Sequence, residues 1–160
     1  MKNNGYQEAE IRQRIAEATS ELNKHYAAMV AERMSLNNAN ILSKFIIISK
    51  KERNISRNTV MSYIDGVVYL ENYLRHKDLE KMNKNDIVSF LDSYRKSETE
   101  DPLHKWISTY NIRFQILFKF FKWLYNSEYN GSKTVSIPPI MNSIKRPSFF
   151  FLLQFQVFPI

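Results

Sequence analysis

The chain has 160 residues with 23 Lys and Arg against 16 Asp and Glu, and it contains no cysteine. That length suits one domain of ordinary size around one core. A net charge of +7 fits a polyanionic partner if the basic residues cluster, and the missing thiols exclude cysteine nucleophiles, thiolate metal sites and disulfides, as in a reducing cytosol.

Three Gly and five Pro leave long stretches free of helix breakers, so helices should dominate. The opening stretch has no continuous apolar run and reads as neither signal peptide nor membrane anchor, and a cytoplasmic protein is expected. Residues 6–34 place Ile11, Ile15, Ala18, Leu22, Tyr26, Met29 and Arg33 at three- and four-residue steps, which predicts one amphipathic helix. It would cover the domain that follows, stand free, or dock on a partner. Ser35, Asn37 and Asn38 supply caps for a second helix over about 38–52. Its FIII run could also form a strand, but no second strand-like run lies nearby to pair with it.

Ser56 stands as N-cap of a helix over about 56–76, with an apolar face from Val60, Tyr63, Ile64, Val67, Leu70 and Leu74. Gly66 lowers its propensity without ending it. Asn83, with Asp86 three residues on, predicts the next helix start, and Ile87, Phe90, Leu91 and Tyr94 face inward. The polar run 96–102 is the clearest loop. Beyond it a strongly apolar helix is predicted over about 103–126, with Ile107, Tyr110, Phe114, Leu117, Phe121 and Leu124 on its core side. From Asn130, glycine and prolines preclude continuous regular structure, and the apolar end from Phe149 is too short to span a bilayer, for which about 20 residues are needed. It reads as a truncated or frame-shifted end, or as a tail tucked onto the bundle. The expected division is an extension (1–35), a binding domain (36–128), and a linker with an apolar tail (129–160).

Nothing in the sequence assembles an active site. The three histidines begin no metal-ligand spacing, there is no Gly-rich phosphate loop or nucleophile elbow, and Glu98, Glu100 and Asp101 sit in a loop. No catalytic residue, metal, cofactor or small-molecule substrate is expected. Charge set against aromatics is the distinctive feature: from Pro102 onward Glu128 is the sole acid, against seven basic residues. On a helical wheel centred on Leu117, the residues Ser108, Asn111, Gln115, Lys119 and Lys122 fall opposite the aromatic stripe. Amides can read base edges and lysines can hold phosphates. Lys105, Ser108 and Thr109 at the helix start would reach phosphate. A second surface is the start of the 56–76 helix, where Ser56, Arg57, Asn58, Thr59 and Ser62 follow Lys50, Lys51 and Arg53. The plain alternative for both faces is a solvated exterior whose lysines only maintain solubility.

Three consecutive stretches resemble the core-binding, SAM-like domain of tyrosine recombinases of the phage integrase and Xer type. TVMSYIDGVVYLENYL supplies Thr59, Tyr63, Val67, Leu70 and Leu74. LEKMNKNDIVSFL supplies Asn83, where the family often has Thr, then Asp86, Ile87, Phe90 and Leu91. STYNIRFQILFKFFKWL is similar to the family's fourth core-binding helix through Thr109, Asn111, Leu117, Phe120, Phe121, Lys122 and Leu124, while Phe118 stands where Arg is frequent. The likeness covers about 38–146, with PPIMNSIKR resembling the linker into a catalytic domain.

The resemblance implies an all-α, four-helix core-binding bundle, here preceded by an additional N-terminal amphipathic helix. It implies double-stranded DNA as partner, clamped by the domain's second and fourth helices, through Arg57, Asn58, Thr59 and Ser62 and through Lys105, Ser108, Thr109, Asn111 and Gln115. A full-length recombinase or self-association is a further partner it allows. The family's chemistry needs a second domain carrying an Arg, a Lys, a His-x-x-Arg pair, a further His or Trp, and a nucleophilic Tyr. None of the three histidines here is followed at three residues by Arg, so a recombinase core-binding domain without the catalytic half is expected. The rivals are a helical protein-interaction module using the 6–34 stripe and a membrane-associated protein using the apolar end.

Overall fold

Short polar side chains set most of the helix starts. The computed structural model describes residues 3–125, 141 and 144–147. Within them run α1 (Asn3–Ala18), α2 (Lys24–Arg33), α3 (Leu36–Arg53), α4 (Arg57–Tyr73), a 3-10 turn (Leu79–Lys81), α5 (Lys84–Asp92) and α6 (Trp106–Leu124). No strand occurs among the described residues, and the FIII run lies inside α3. Asn23, Ser35, Ser56 and Asn83 each accept a backbone N–H of the helix that follows, which satisfies a donor the helix itself cannot. At α5 the cap is reciprocal: the Asn83 side chain accepts from the Asp86 N–H at 3.1 Å, and Asp86 accepts from the Asn83 N–H at 2.8 Å. Lys77 adds an ion pair to Asp86 at 2.6 Å.

The helix expected over 6–34 is two helices. The chain turns at residues 19–23, where the Thr19 hydroxyl donates to the Ile15 carbonyl at 2.8 Å and Asn23 caps α2. The apolar stripe crosses the turn in register, with Ile11, Ile15 and Ala18 buried on α1 and Met29 on α2, while Arg33 is exposed. That stripe is consumed within the chain, because α1 packs along α3, and α2 against α4 and α3. Two more boundaries shift. The 56–76 helix closes at Tyr73, and Arg75 and His76 adopt left-handed backbone (φ 53° and 62°), held by the His76 N–H donating to the Glu71 carbonyl at 2.9 Å. The last helix starts at Trp106, since left-handed His104 (φ 50°) interrupts the chain and the Asp101 carboxylate accepts the Trp106 N–H at 2.9 Å. Leu103 is left 71 % exposed.

Phe45 of α3 holds the core together. Its ring meets Tyr63 of α4 at 4.9 Å and both Phe120 and Trp123 of α6 at 5.2 Å, so three helices converge on one side chain. The core extends from Ile11 and Ile15 through Ile64, Val67 and Leu91 to Leu117 and Phe121. One polar knot crosses it. Fully buried Glu71 accepts from the Ser35 N–H at 2.9 Å and the Asn38 side-chain amide at 3.1 Å, and it is hydrogen-bonded to His76 Nδ1 at 2.8 Å. Asn38 also donates to the Lys77 carbonyl and accepts from the Leu79 N–H, both at 3.0 Å. A buried carboxylate is tolerated only when its oxygens are so satisfied. The knot fixes the start of α3 against the end of α4 and the 3-10 turn.

Residues 126–140, 142–143 and 148–160, which take in most of the linker and apolar tail expected over 129–160, lie outside the described residues. Met141 and Ile144 belong to the core cluster.

Candidate nucleic-acid interface

The two faces singled out in sequence meet in one groove. Gly66 of α4 faces Ile116 of α6, and the Arg113 guanidinium lies 5.2 Å from the Tyr69 ring, whereas Asn58, Thr59 and Ser62 share a cleft with Gln115 and Lys119. Later residues of α4 thus meet earlier residues of α6, and the helices run antiparallel. Close approach is possible because residue 66 is glycine: a Cβ there would stand 2.6 Å from Ile116 Cγ2. The groove measures about 240 Å³, with Asn58, Thr59 and Ser62 on one wall, Ile112, Gln115 and Lys119 on the other, and Tyr63 and Ile116 beneath. Among the described residues lining it there is no carboxylate.

Local hydrogen bonds fix the α4 wall. Ser56 accepts the Thr59 N–H at 3.2 Å and shares a hydroxyl bond with Thr59 at 3.0 Å, while the Ser62 hydroxyl donates to the Asn58 carbonyl at 3.0 Å. Arg57 and Asn58 are exposed in the first turn of α4, and Asn58 also lines the groove. Immediately before them, Lys50, Lys51 and Arg53 occupy the last turn of α3, where they also offset its carbonyl dipole. The nearest acid on α4 is Asp65, half-buried one turn below Ser62; burial pushes its carboxyl above the usual range, against the lowering pull of Arg113 and His25.

On α6 the exposed stripe runs Ser108, Ile112, Gln115, Lys119 and Lys122. It passes through Ile112 rather than Asn111. Asn111 is half-buried, and its amide donates to the Pro147 carbonyl at 3.4 Å, tying the helix to the segment after residue 143. Lys105 and Ser108 are exposed and Thr109 half-buried at the start of α6. At 1.5 Å per residue, Lys105 lies about 10 Å along the axis from Ile112, the first groove residue of α6, whereas Ser108 stands about one turn before Ile112 on the same stripe. Asp101 already occupies the first N–H of that helix.

Gln115 and Lys119 form a ridge, because they also line a second cleft of about 480 Å³ on the other side of α6, together with Phe114, Phe118, Met141, Ile144 and Arg146. Phe118 stacks on Phe114 at 6.1 Å, and the Arg146 guanidinium sits 5.2 Å from the Phe114 ring. A cation from the following segment thus reaches the patch that Phe118 leaves apolar. Neither Ile112 nor Arg146, the latter counted in sequence only as part of the basic excess, stands among the contact residues expected there. Arg146 carries no local signal. Ile112 does, since on the wheel it lies about 140° from Leu117, further out than Asn111 at about 120°.

Burial pushes the pKa of Tyr125 up to about 12, with Glu80 adding to the effect, and its hydroxyl donates to the Met82 carbonyl at 3.2 Å. Burial also raises Tyr110, with Asp92 adding and Arg95 opposing. Among the described residues no group of three or more His, Cys, Asp or Glu could hold a metal ion, and no helix is long and apolar enough to cross a membrane.

No curated protein and no solved structure matches the chain. The family model of the phage integrase N-terminal SAM-like domain matches residues 42–128, a span running from within α3 through all of α4, α5 and α6. With more than half of its residues in that match and an all-helical fold, the chain belongs to the phage integrase N-terminal SAM-like domain family, whose setting is DNA integration and recombination.

Proposed function

We propose that this chain binds double-stranded DNA along the α4–α6 groove and leaves strand cleavage to residues outside these 160. The observation that carries the reading is the groove itself: two helices far apart in sequence bring Asn58, Thr59, Ser62, Gln115 and Lys119 to one cleft with no carboxylate among its described lining residues, and Arg57 is exposed at the start of α4 beside Asn58. An α-helix about 10–12 Å across fits a major groove of about 12 Å. The amides suit base edges, and Arg57, Lys119 and Lys122 suit phosphates. Lys105, Ser108 and Thr109, about one to two turns of α6 before Ile112, would meet the backbone, and Asn111 bonds to the segment that carries Arg146. The upward shifts of Tyr110 and Tyr125 run opposite to what a nucleophilic phenolate needs.

Fluorescence anisotropy of a labelled duplex titrated with the full chain at several salt concentrations tests the proposal. With about four to six phosphates neutralised, log affinity should fall against log salt with a slope of roughly −4 to −5. A flat response, or no binding at low salt, would contradict it. The protein-docking alternative finds no support in α1, whose apolar stripe is buried against α3.

A further inference from the structure

Ile112 is 57 % exposed although it sits in the middle of α6, and it is the one large aliphatic side chain on that helix's solvent stripe. It stands on the rim of the α4–α6 groove, three residues from Gln115, so the two side chains emerge side by side on one face. Burial does not explain an isoleucine here: the floor beneath is already closed by Ile116 packed on Gly66. The pairing of an aliphatic group with a primary amide matches one edge in particular. In the major groove an A·T pair presents an acceptor and a donor on adenine, N7 and N6, beside the C5 methyl of thymine. A side-chain amide can meet the first two bidentately, and an aliphatic side chain can cover the third. A G·C pair offers no methyl and sets the guanine O6 acceptor where adenine has its N6 donor, while N7 stays an acceptor.

We infer that the groove reads A·T pairs, with Gln115 on adenine and Ile112 on the thymine methyl. The inference rests on the DNA-binding reading above, and its test separates the two. Anisotropy is measured with the full chain on duplexes of equal length in which A·T pairs carry thymine, A·T pairs carry deoxyuridine in place of thymine, or G·C pairs replace them. The A·T duplex should bind more tightly than the G·C duplex by roughly five- to a hundredfold. Loss of the methyl should weaken binding about fourfold, as burial of one methyl-sized group implies.

Ile112→Ser, at an exposed position, should erase the thymine-to-deoxyuridine difference while preserving the salt slope and the helical circular dichroism. Gln115→Ala should reduce the A·T preference and keep the methyl effect. Salt-dependent binding with equal affinity for thymine and deoxyuridine duplexes overturns the inference and leaves DNA binding standing. So does a methyl effect that survives Ile112→Ser, which would place the preference in duplex shape. Absence of binding to every duplex removes both readings.

Discussion

Gly66 and Asn38 show how single residues set the geometry that the groove depends on. Gly66 has an ordinary helical backbone, so its value lies in what it omits: any Cβ would press on Ile116 Cγ2 at 2.6 Å. Alanine is the better helix former by about 1 kcal/mol, yet overpacking a close contact costs about 1–3 kcal/mol. Gly66→Ala should therefore lower stability by about 1 kcal/mol in urea unfolding; a stabilised variant would contradict the close-approach account. Asn38 is buried and satisfies three partners, among them buried Glu71. Asn38→Ala should cost about 2–3 kcal/mol, because the groups left behind stay buried without their partner. Neither role was legible in sequence. Gly66 reads there as a propensity defect and Asn38 as one of several capping residues, and only the packing of α6 and the 3-10 turn against them gives each its task.

At the scale of elements, acid should weaken the start of α5. Burial alone would push Asp86 up, but the hydrogen bonds from Lys77 and the Asn83 N–H, with the charge of Lys77, outweigh it and hold the carboxyl below the usual range. A depressed folded value means that the stabilisation is fully present above the unfolded value, about 3.9, and is lost as pH falls through the folded one. Unfolding midpoints should thus decline below about pH 4, and Asp86→Asn should flatten that limb while costing about 1 kcal/mol at neutral pH through the broken cap. An unchanged acid limb in Asp86→Asn would place the acid sensitivity elsewhere. The starts at Ser56 and Asn83 were readable because a cap is a local signal, in which residue type and the next three positions suffice. The turn at 19–23 was hidden by Leu22, which continues the three-four spacing across it, so periodicity ran on where the backbone did not. The late start of α6 depends on left-handed His104 and on Asp101 reaching forward five residues, and neither leaves a mark in apolar periodicity.

For the whole molecule, the antiparallel crossing of α4 and α6 turns two separate sequence signals into one site. Sequence reasoning identified both faces from their charge and amide content, and the family likeness pointed to the same helices; it could not show that Thr59 and Lys119 line one cleft while Lys105 stands well apart. Removing one phosphate contact should make that distinction visible. Lys119→Ala should weaken duplex binding across sequences and make the salt slope shallower by about 1, whereas Lys24→Ala on α2 should leave both unchanged. The most direct test maps the surface itself. In a titration of the isotope-labelled chain with a short duplex, followed by amide ¹H–¹⁵N correlation spectra, shifts should concentrate at Arg57–Ser62 and along Ser108–Lys122, with α1 silent. Shifts centred on α1, or none at low salt, would contradict the α4–α6 groove as the DNA-binding surface.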